Sequence, residues 1–288
     1  MDGTANAEKI TSRENKWLKT FRAALRGNGP HAGEPIGVEG RKFVEEALRS
    51  GLRAEALLLT EETEPQAAEI LVLAGKSSAD IARQRVLKTS AKLFGGVAGT
   101  DSPQGVAAIF HQPVWSFEDV LRGTGEMHGA APLVVVLAGV QDPGNVGTAV
   151  RSAEAFGATG VICTRGTADP WSPKALRASA GSALRLPLLR GMAAPVVLAQ
   201  LRMARVRIIA ASSRGASQMA RAEDLRGDAA IFIGNEGAGL AEEIIHAADA
   251  AISIPMSEAV ESLNAGVAAS VVLYEAARQR GAPADRKS

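Results

Sequence analysis

The 288-residue sequence predicts an α/β fold in which a large parallel-sheet domain follows a small α/β domain. Two observations carry this. From Leu133 onward, short runs of consecutive apolar residues alternate with helical stretches, the pattern of strands buried on both faces. Before residue 112, charged amphipathic stretches interleave with fewer apolar runs, which suggests a compact unit of its own.

Taken in order, the first element is a helix. On a wheel of about 100° per residue started at Lys9, one half holds Trp17, Leu18, Phe21, Ala24 and Leu25. The other half holds Lys9, Arg13, Lys16, Lys19, Arg22 and Arg26. One face packs and the other is basic, although a basic face alone is ordinarily solvated surface. A break at Gly27-Asn28-Gly29-Pro30 precedes a second helical pattern over Val38–Ser50, and the runs Ala56–Leu59 and Val106–Ile109 are expected strands. Residues 113–131 mix Pro, Gly, Trp and charge without periodicity, so they are expected to link a domain over 1–112 to one over 132–288. Expected strands of the second domain are Leu133–Gly139, Gly160–Thr164, Val206–Ala211, Ala229–Gly234 and Ala250–Pro255.

Composition excludes several classes. The segment MDGTANAEKI lacks an apolar core of signal-peptide length, and no apolar run approaches bilayer-spanning length, so a soluble cytoplasmic protein with no membrane association is expected. The single cysteine, Cys163, permits no intramolecular disulfide and sits in an apolar run, where a buried inert thiol is expected. His31, His111, His128 and His246 lack metal-ligand spacing, and no metal is expected. A net charge of +1 says nothing about a polyanionic partner, because binding depends on distribution. Basic residues concentrate in Lys9–Arg26, Lys76–Lys92 and Arg165–Arg190, which are expected patches.

In a parallel sheet, ligands bind beyond the carboxyl ends of the strands. Three such ends are unusual here: Gln141-Asp142-Pro143-Gly144-Asn145-Val146-Gly147 with Arg151 in the following helix, Gly234-Asn235-Glu236-Gly237-Ala238-Gly239-Leu240, and Ile254-Pro255-Met256 followed by Glu261-Ser262-Leu263-Asn264. Each puts glycine or proline beside polar side chains, so a backbone could approach a ligand closely. Any one of them alone is ordinary turn chemistry. A dinucleotide site is disfavoured because G-x-G-x-x-G is missing after the first strand and Val161-Ile162-Cys163-Thr164-Arg165 offers no acidic residue for a ribose. No Walker A sequence occurs.

Together, in order and spacing, the three loops resemble the signature motifs of the SpoU (TrmH-like) family of the SPOUT superfamily of RNA methyltransferases. The first is similar to N-x-G-x-x-x-R (Asn145, Gly147, Arg151), the second to G-N-E-G-x-G-L (Gly234–Leu240), and the third to I-P-M followed by S-L-N (Ile254–Met256, Ser262–Asn264). Asp169-Pro170-Trp171-Ser172-Pro173-Lys174 and Arg177-Ala178-Ser179-Ala180-Gly181 resemble the family's central segment. The stretch Val38-Glu39-Gly40-Arg41-Lys42-Phe43-Val44 and the later Gln104-Gly105-Val106 are similar to the L30e-like substrate-binding domain carried by many relatives.

The resemblance implies a C-terminal deep trefoil knot, a homodimer, and S-adenosyl-L-methionine bound by Gly234, Gly237, Ile254, Met256 and Leu263. It implies methyl transfer to a ribose 2′-hydroxyl of RNA, with ribosomal RNA favoured over transfer RNA. Arg151 would stabilise the developing alkoxide, since arginine stays protonated and is a poor base, with a literal general-base role as the alternative. Asn145 and Asn264 would orient the hydroxyl or Arg151, Glu236 would fix Arg151 by a charge-assisted hydrogen bond, and Ser262 would cap the last helix or touch substrate. Arg13, Lys16, Lys19, Arg41 and Lys42 are the expected RNA contacts. One departure is Gly266, where many relatives carry serine; it either merely loosens a helix, by up to about 1 kcal/mol, or alters a cofactor or dimer contact. The alternatives are a transfer-RNA ribose or base methyltransferase of the same fold, or a catalytically silent dimeric RNA-binding module. Intact Asn145, Arg151 and Glu236 argue against the last.

Overall fold

A computed structural model describes residues 7–27, 34–72, 85–212, 217–218, 224–257, 260 and 262–281. Glu261, Asn28 to His31, and Lys76 and Arg83 of the second basic stretch lie outside them. The chain divides into two compact units, Met1–Val114 with Trp171–Leu176, and Trp115–Pro170 with Arg177–Ser288.

In chain order the elements of the first unit are β1 (Glu8–Ile10), α1 (Lys16–Arg26), β2 (Ile36–Glu39), α2 (Arg41–Arg49), β3 (Ala54–Thr60), α3 (Ala67–Val72), β4 (Arg85–Thr89), α4 (Ala91–Gly95) and β5 (Val106–Phe110). The sheet order is β1-β4-β3-β5-β2. β3 pairs parallel with β4 and antiparallel with β5. The basic helix begins later than the wheel implies: Lys9 lies in β1, paired parallel with β4, and Asn15 caps α1 by accepting from the Trp17 N–H at 2.8 Å. Leu18, Phe21 and Leu25 are buried with Leu58, Leu87 and Ile109, so the predicted packing face is the one used. The Val38–Ser50 pattern divides at Gly40 (φ +95°), whose backbone turns β2 into α2.

The second unit holds α5 (Phe117–Arg122), β6 (Leu133–Leu137), α6 (Pro143–Ala155), β7 (Gly160–Thr164), α7 (Pro173–Ser179, partly in the first unit), β8 (Leu188–Met192), α8 (Ala194–Met203), β9 (Arg207–Ala211), β10 (Ser217–Gln218), β11 (Ala229–Ile233), α9 (Glu242–Ala247), β12 (Ala250–Ser253) and α10 (Ala265–Gln279). The stretch expected as a linker thus carries a helix. α5 is started by a capping box in which Ser116 and Asp119 satisfy each other's backbone N–H groups.

The sheet runs β10-β12-β9-β11-β6-β7-β8, and every neighbouring pair is parallel. On one face Val134, Val136, Ile162, Ile208 and Phe232 pack with Val120, Val197, Leu201 and Ile244 of the covering helices. On the other, α6 and α10 pack on each other and over β7 and β11. Cover on both faces is why these strands read as unbroken apolar runs. Cys163 is buried in β7, and burial, assisted by Asp169, pushes its thiol far above the ordinary range. Among the described residues, no helix is long and apolar enough to cross a membrane, and no cluster of three His, Cys, Asp or Glu side chains is arranged to hold a metal.

Candidate active site

The second motif follows β11 and folds back on itself. Asn235 and Gly239 exchange two backbone hydrogen bonds of 3.0 Å. A Cβ on Gly234 would lie 2.3 to 2.5 Å from backbone atoms of Gly239 and Leu240, so no other residue fits that turn. The Asn235 side chain locks the loop. Its oxygen accepts from the N–H groups of Gly237 and Ala238, and its amide donates to the Gly139 carbonyl, 2.9 Å away, beyond β6.

Beside this loop opens a cavity of about 610 Å³. Its walls come from the carboxyl ends of β9, β11 and β12, from α9, and from the first turn of α10. Gly234, Gly237, Ile254, Met256, Ser262 and Leu263 all line it, so the structure brings together every residue the sequence suggested for the cofactor. It also adds Ser212, Asn235 and Glu242. Ser212 stands at the end of β9, and the strand-end rule that located the other loops could have found it.

Beyond the cavity the three motifs are joined by side-chain hydrogen bonds. The Asn145 amide donates to Glu236 Oε1 at 2.6 Å, and Asn145 Oδ1 accepts from the Asn264 amide at 2.6 Å. Asn264 Oδ1 in turn accepts from the Gly266 and Val267 N–H groups, which makes Asn264 the N-cap of α10. Ser262, the expected cap, is exposed at the cavity instead. Burial pushes the Glu236 carboxyl up, but the Asn145 amide and the N–H groups of Glu236, Gln141 and Asp142 outweigh it and hold the group below the usual carboxylate range.

The expected Glu236–Arg151 contact is absent. Arg151 sits on α6, exposed, and among the described residues it makes no hydrogen bond or ion pair; Glu236 meets Asn145 instead. Of the expected RNA contacts, Arg13, Lys16 and Lys42 are exposed, and Lys19 is exposed and pairs with Glu14. Arg41 is already engaged, bonded to Glu45, Gln66 and Glu69. Arg22 and Arg26 of the same basic face donate to the carbonyls of Gly95, Gly96 and Ala98 and thereby close the end of α4.

Residues 132–274, which contain all three loops, match the SpoU rRNA Methylase family, and residues 35–108 match the MRM3-like substrate binding domain. Over 282 residues the chain is 32% identical to an uncharacterized tRNA/rRNA methyltransferase of Synechocystis, covering 97% of each protein. The chain belongs to the SpoU methylase family. Another relative, 30% identical over 271 residues and covering 93% of this chain and 98% of its own length, is the 23S rRNA (guanosine(2553)-2′-O)-methyltransferase RlmP of Bacillus subtilis. The AdoMet-bound rRNA methyltransferase of Sinorhizobium meliloti has a similar structure, with a TM-score of 0.80 at 29% identity, covering 94% of this chain and 98% of that one. As a SpoU methylase, the chain carries its signature loops on neighbouring ends of one sheet, which is why residues more than 90 positions apart, such as Asn145 and Glu236, touch.

Proposed function

We propose that this protein transfers a methyl group from S-adenosyl-L-methionine to a ribose 2′-hydroxyl of ribosomal RNA in the cytoplasm. The observation that carries the reading is the convergence of the second and third motif loops on one cavity, with the first loop tied to both through the Glu236–Asn145–Asn264 chain. The names of the Bacillus subtilis and Sinorhizobium meliloti relatives support the ribosomal, ribose-directed form.

The cavity fits the cofactor. Among the described residues its charged lining residues are Glu236 and Glu242, both acidic, which suits a cationic sulfonium. The doubled-back Gly234 loop presents backbone groups that can hold it, with Ile254, Met256 and Leu263 as apolar wall. When bound, the cofactor supplies an electrophilic methyl carbon. The Arg151 guanidinium stabilises the charge that develops on the 2′-oxygen, and an RNA phosphate oxygen takes the hydroxyl proton. Asn145 and Asn264 orient the hydroxyl, and Glu236 fixes the Asn145 amide so that its oxygen faces Asn264. Residues 1–112 bind RNA, 132–288 hold the reaction, and 113–131 join them, with α5 packed on the second sheet through Val120.

The reading includes a homodimer and a trefoil-knotted C-terminal segment. Val267 and Tyr274 of α10 are 45% and 57% exposed, and the Phe156 ring meets Tyr274 edge-on at 5.8 Å, an apolar face suited to a second copy. A monomer in sedimentation at micromolar concentration would overturn the dimer.

The function is tested by incubating ribosomal RNA with the protein and methyl-labelled cofactor, then digesting to nucleosides. Label is expected in a 2′-O-methylnucleoside, with Arg151→Ala reducing it at least about 100-fold, an order-of-magnitude figure for loss of one charge stabiliser, while S-adenosylhomocysteine affinity is kept. Label on a base would sink the ribose assignment.

A further inference from the structure

The first turn of α10 stands between the cavity and the helix that carries Arg151, and it faces both. Ala265 and Ala268 line the cavity. Gly266, between them, is buried against α6. A Cβ on Gly266 would lie 3.0 Å from Thr148 Cβ, 3.1 Å from Thr148 Cγ2 and 3.1 Å from the Asn145 carbonyl oxygen. Carbon atoms at rest are separated by about 3.5 to 4.0 Å. Gly266 has ordinary helical backbone geometry, so space and not conformation governs this position, and an added side chain fits only if its neighbours give by a few tenths of an ångström.

The helix cannot relieve an added atom by sliding along α6. Ser270 Oγ donates to the Gly266 carbonyl at 2.7 Å and lies 2.6 Å from Ser152 Oγ, pinning α10 to α6 one turn later. Two residues earlier, the amide of the N-cap Asn264 is bonded to Asn145. A side chain at 266 therefore either stretches the Asn145–Asn264 bond or drives Ala265 and Ala268 into the cavity.

We infer that Gly266 and Thr148 are a size-matched positioning pair whose contact sets the distance between the cavity wall and the helix bearing Asn145 and Arg151. The larger side chain stands on α6, and α10 gives way to it. Neither residue lines the cavity. The inference rests on the cavity being the S-adenosylmethionine site.

The test is calorimetric titration of the full chain with S-adenosylhomocysteine, for wild type, Gly266→Ala, Thr148→Gly and the double variant, alongside steady-state kinetics. Helix propensity alone makes Gly266→Ala favourable. The pair instead requires it to weaken S-adenosylhomocysteine about tenfold, a typical coupling between touching residues, and to lower kcat without changing KM for RNA. Thr148→Gly in the same chain should restore most of that loss. Equal affinity in Gly266→Ala and wild type overturns the pair, as does a double variant in which the two losses merely add. If Gly266→Ala does not fold, recovery of folding in the double variant supports the pair and its failure overturns it. A wild-type chain that does not bind S-adenosylhomocysteine would instead bring down the assignment of the cavity.

Discussion

Asn145 uses both atoms of its amide group, one toward a carboxylate and one toward another amide. Asn145→Asp is nearly isosteric yet replaces the donor with an oxygen that faces Glu236. Two carboxylates would then share one site, and one of them would bind a proton more readily than either does alone. The variant should be about 100-fold slower at neutral pH, and its rate should rise as pH falls and that proton is taken up. Wild type should behave oppositely. Because the folded Glu236 pKa is lowered, the support it gives is complete above the ordinary carboxylate range and is lost only as pH falls through the lowered value. Single-turnover rates against pH decide this, and parallel profiles for the two proteins would refute it. The residues of the cavity were legible from their loops, but the partner of Glu236 was not. Arg151 follows Asn145 by six helical residues, about 120° around the helix and about 9 Å along it. The two side chains therefore leave α6 in different directions, and Glu236 meets the first, a distinction that a motif written as a line of letters conceals.

At the scale of elements, α6 is tied to the turn before β8 by one ion pair. Arg185 donates to both Glu154 oxygens at 2.6 and 2.7 Å, with each side chain about one-third exposed. Burial raises the Glu154 carboxyl, while hydrogen bonds from Arg185 and Ser182 bring it below the ordinary range. Arg185→Ala should cost about 1–2 kcal/mol in urea unfolding, because the stranded carboxylate keeps some access to water. The loss should be present at neutral pH and shrink as pH falls through the folded Glu154 value, where wild type also surrenders the pair; a pH-independent difference would assign the effect to packing. The strands of this unit were legible where apolar residues ran unbroken, as in β6, β7 and β11. β8 (Leu-Leu-Arg-Gly-Met) and β4 (Arg-Val-Leu-Lys-Thr) were not, since their polar positions leave no run and their identity comes from the neighbour they pair with. β1 has one buried residue in three and was absorbed into the wheel of the helix after it, although Asn15 marks where that helix begins. The helix α5 was hidden because its capping box closes with aspartate rather than the usual glutamate or glutamine.

At the scale of the whole molecule, the basic face of α1 divides in two. Arg22 and Arg26 hold α4, whereas Lys16 and Lys19, with Arg13 just ahead of the helix, are exposed, Lys19 beside Glu14. Replacing the last three together with alanine should weaken RNA binding and flatten its salt dependence, by roughly one unit of log–log slope for each phosphate no longer neutralised. S-adenosylhomocysteine affinity should not change; an unaltered slope would return this helix to ordinary surface. Both units are bonded between residues distant in sequence, but one bond set in the second has a temporal meaning. The Arg280 guanidinium donates to the carbonyls of Ala131, Pro132, Leu225 and Gly227, which stand just ahead of β6 and β11. β6 and β11 are adjacent strands at the middle of the sheet. During translation the residues before β6 leave the ribosome well ahead of the arginine that will satisfy them, by 149 positions for Ala131. Until residue 280 emerges, the amino ends of the two central strands lack their clasp, whereas every strand of the sheet ahead of them has been made by Phe110.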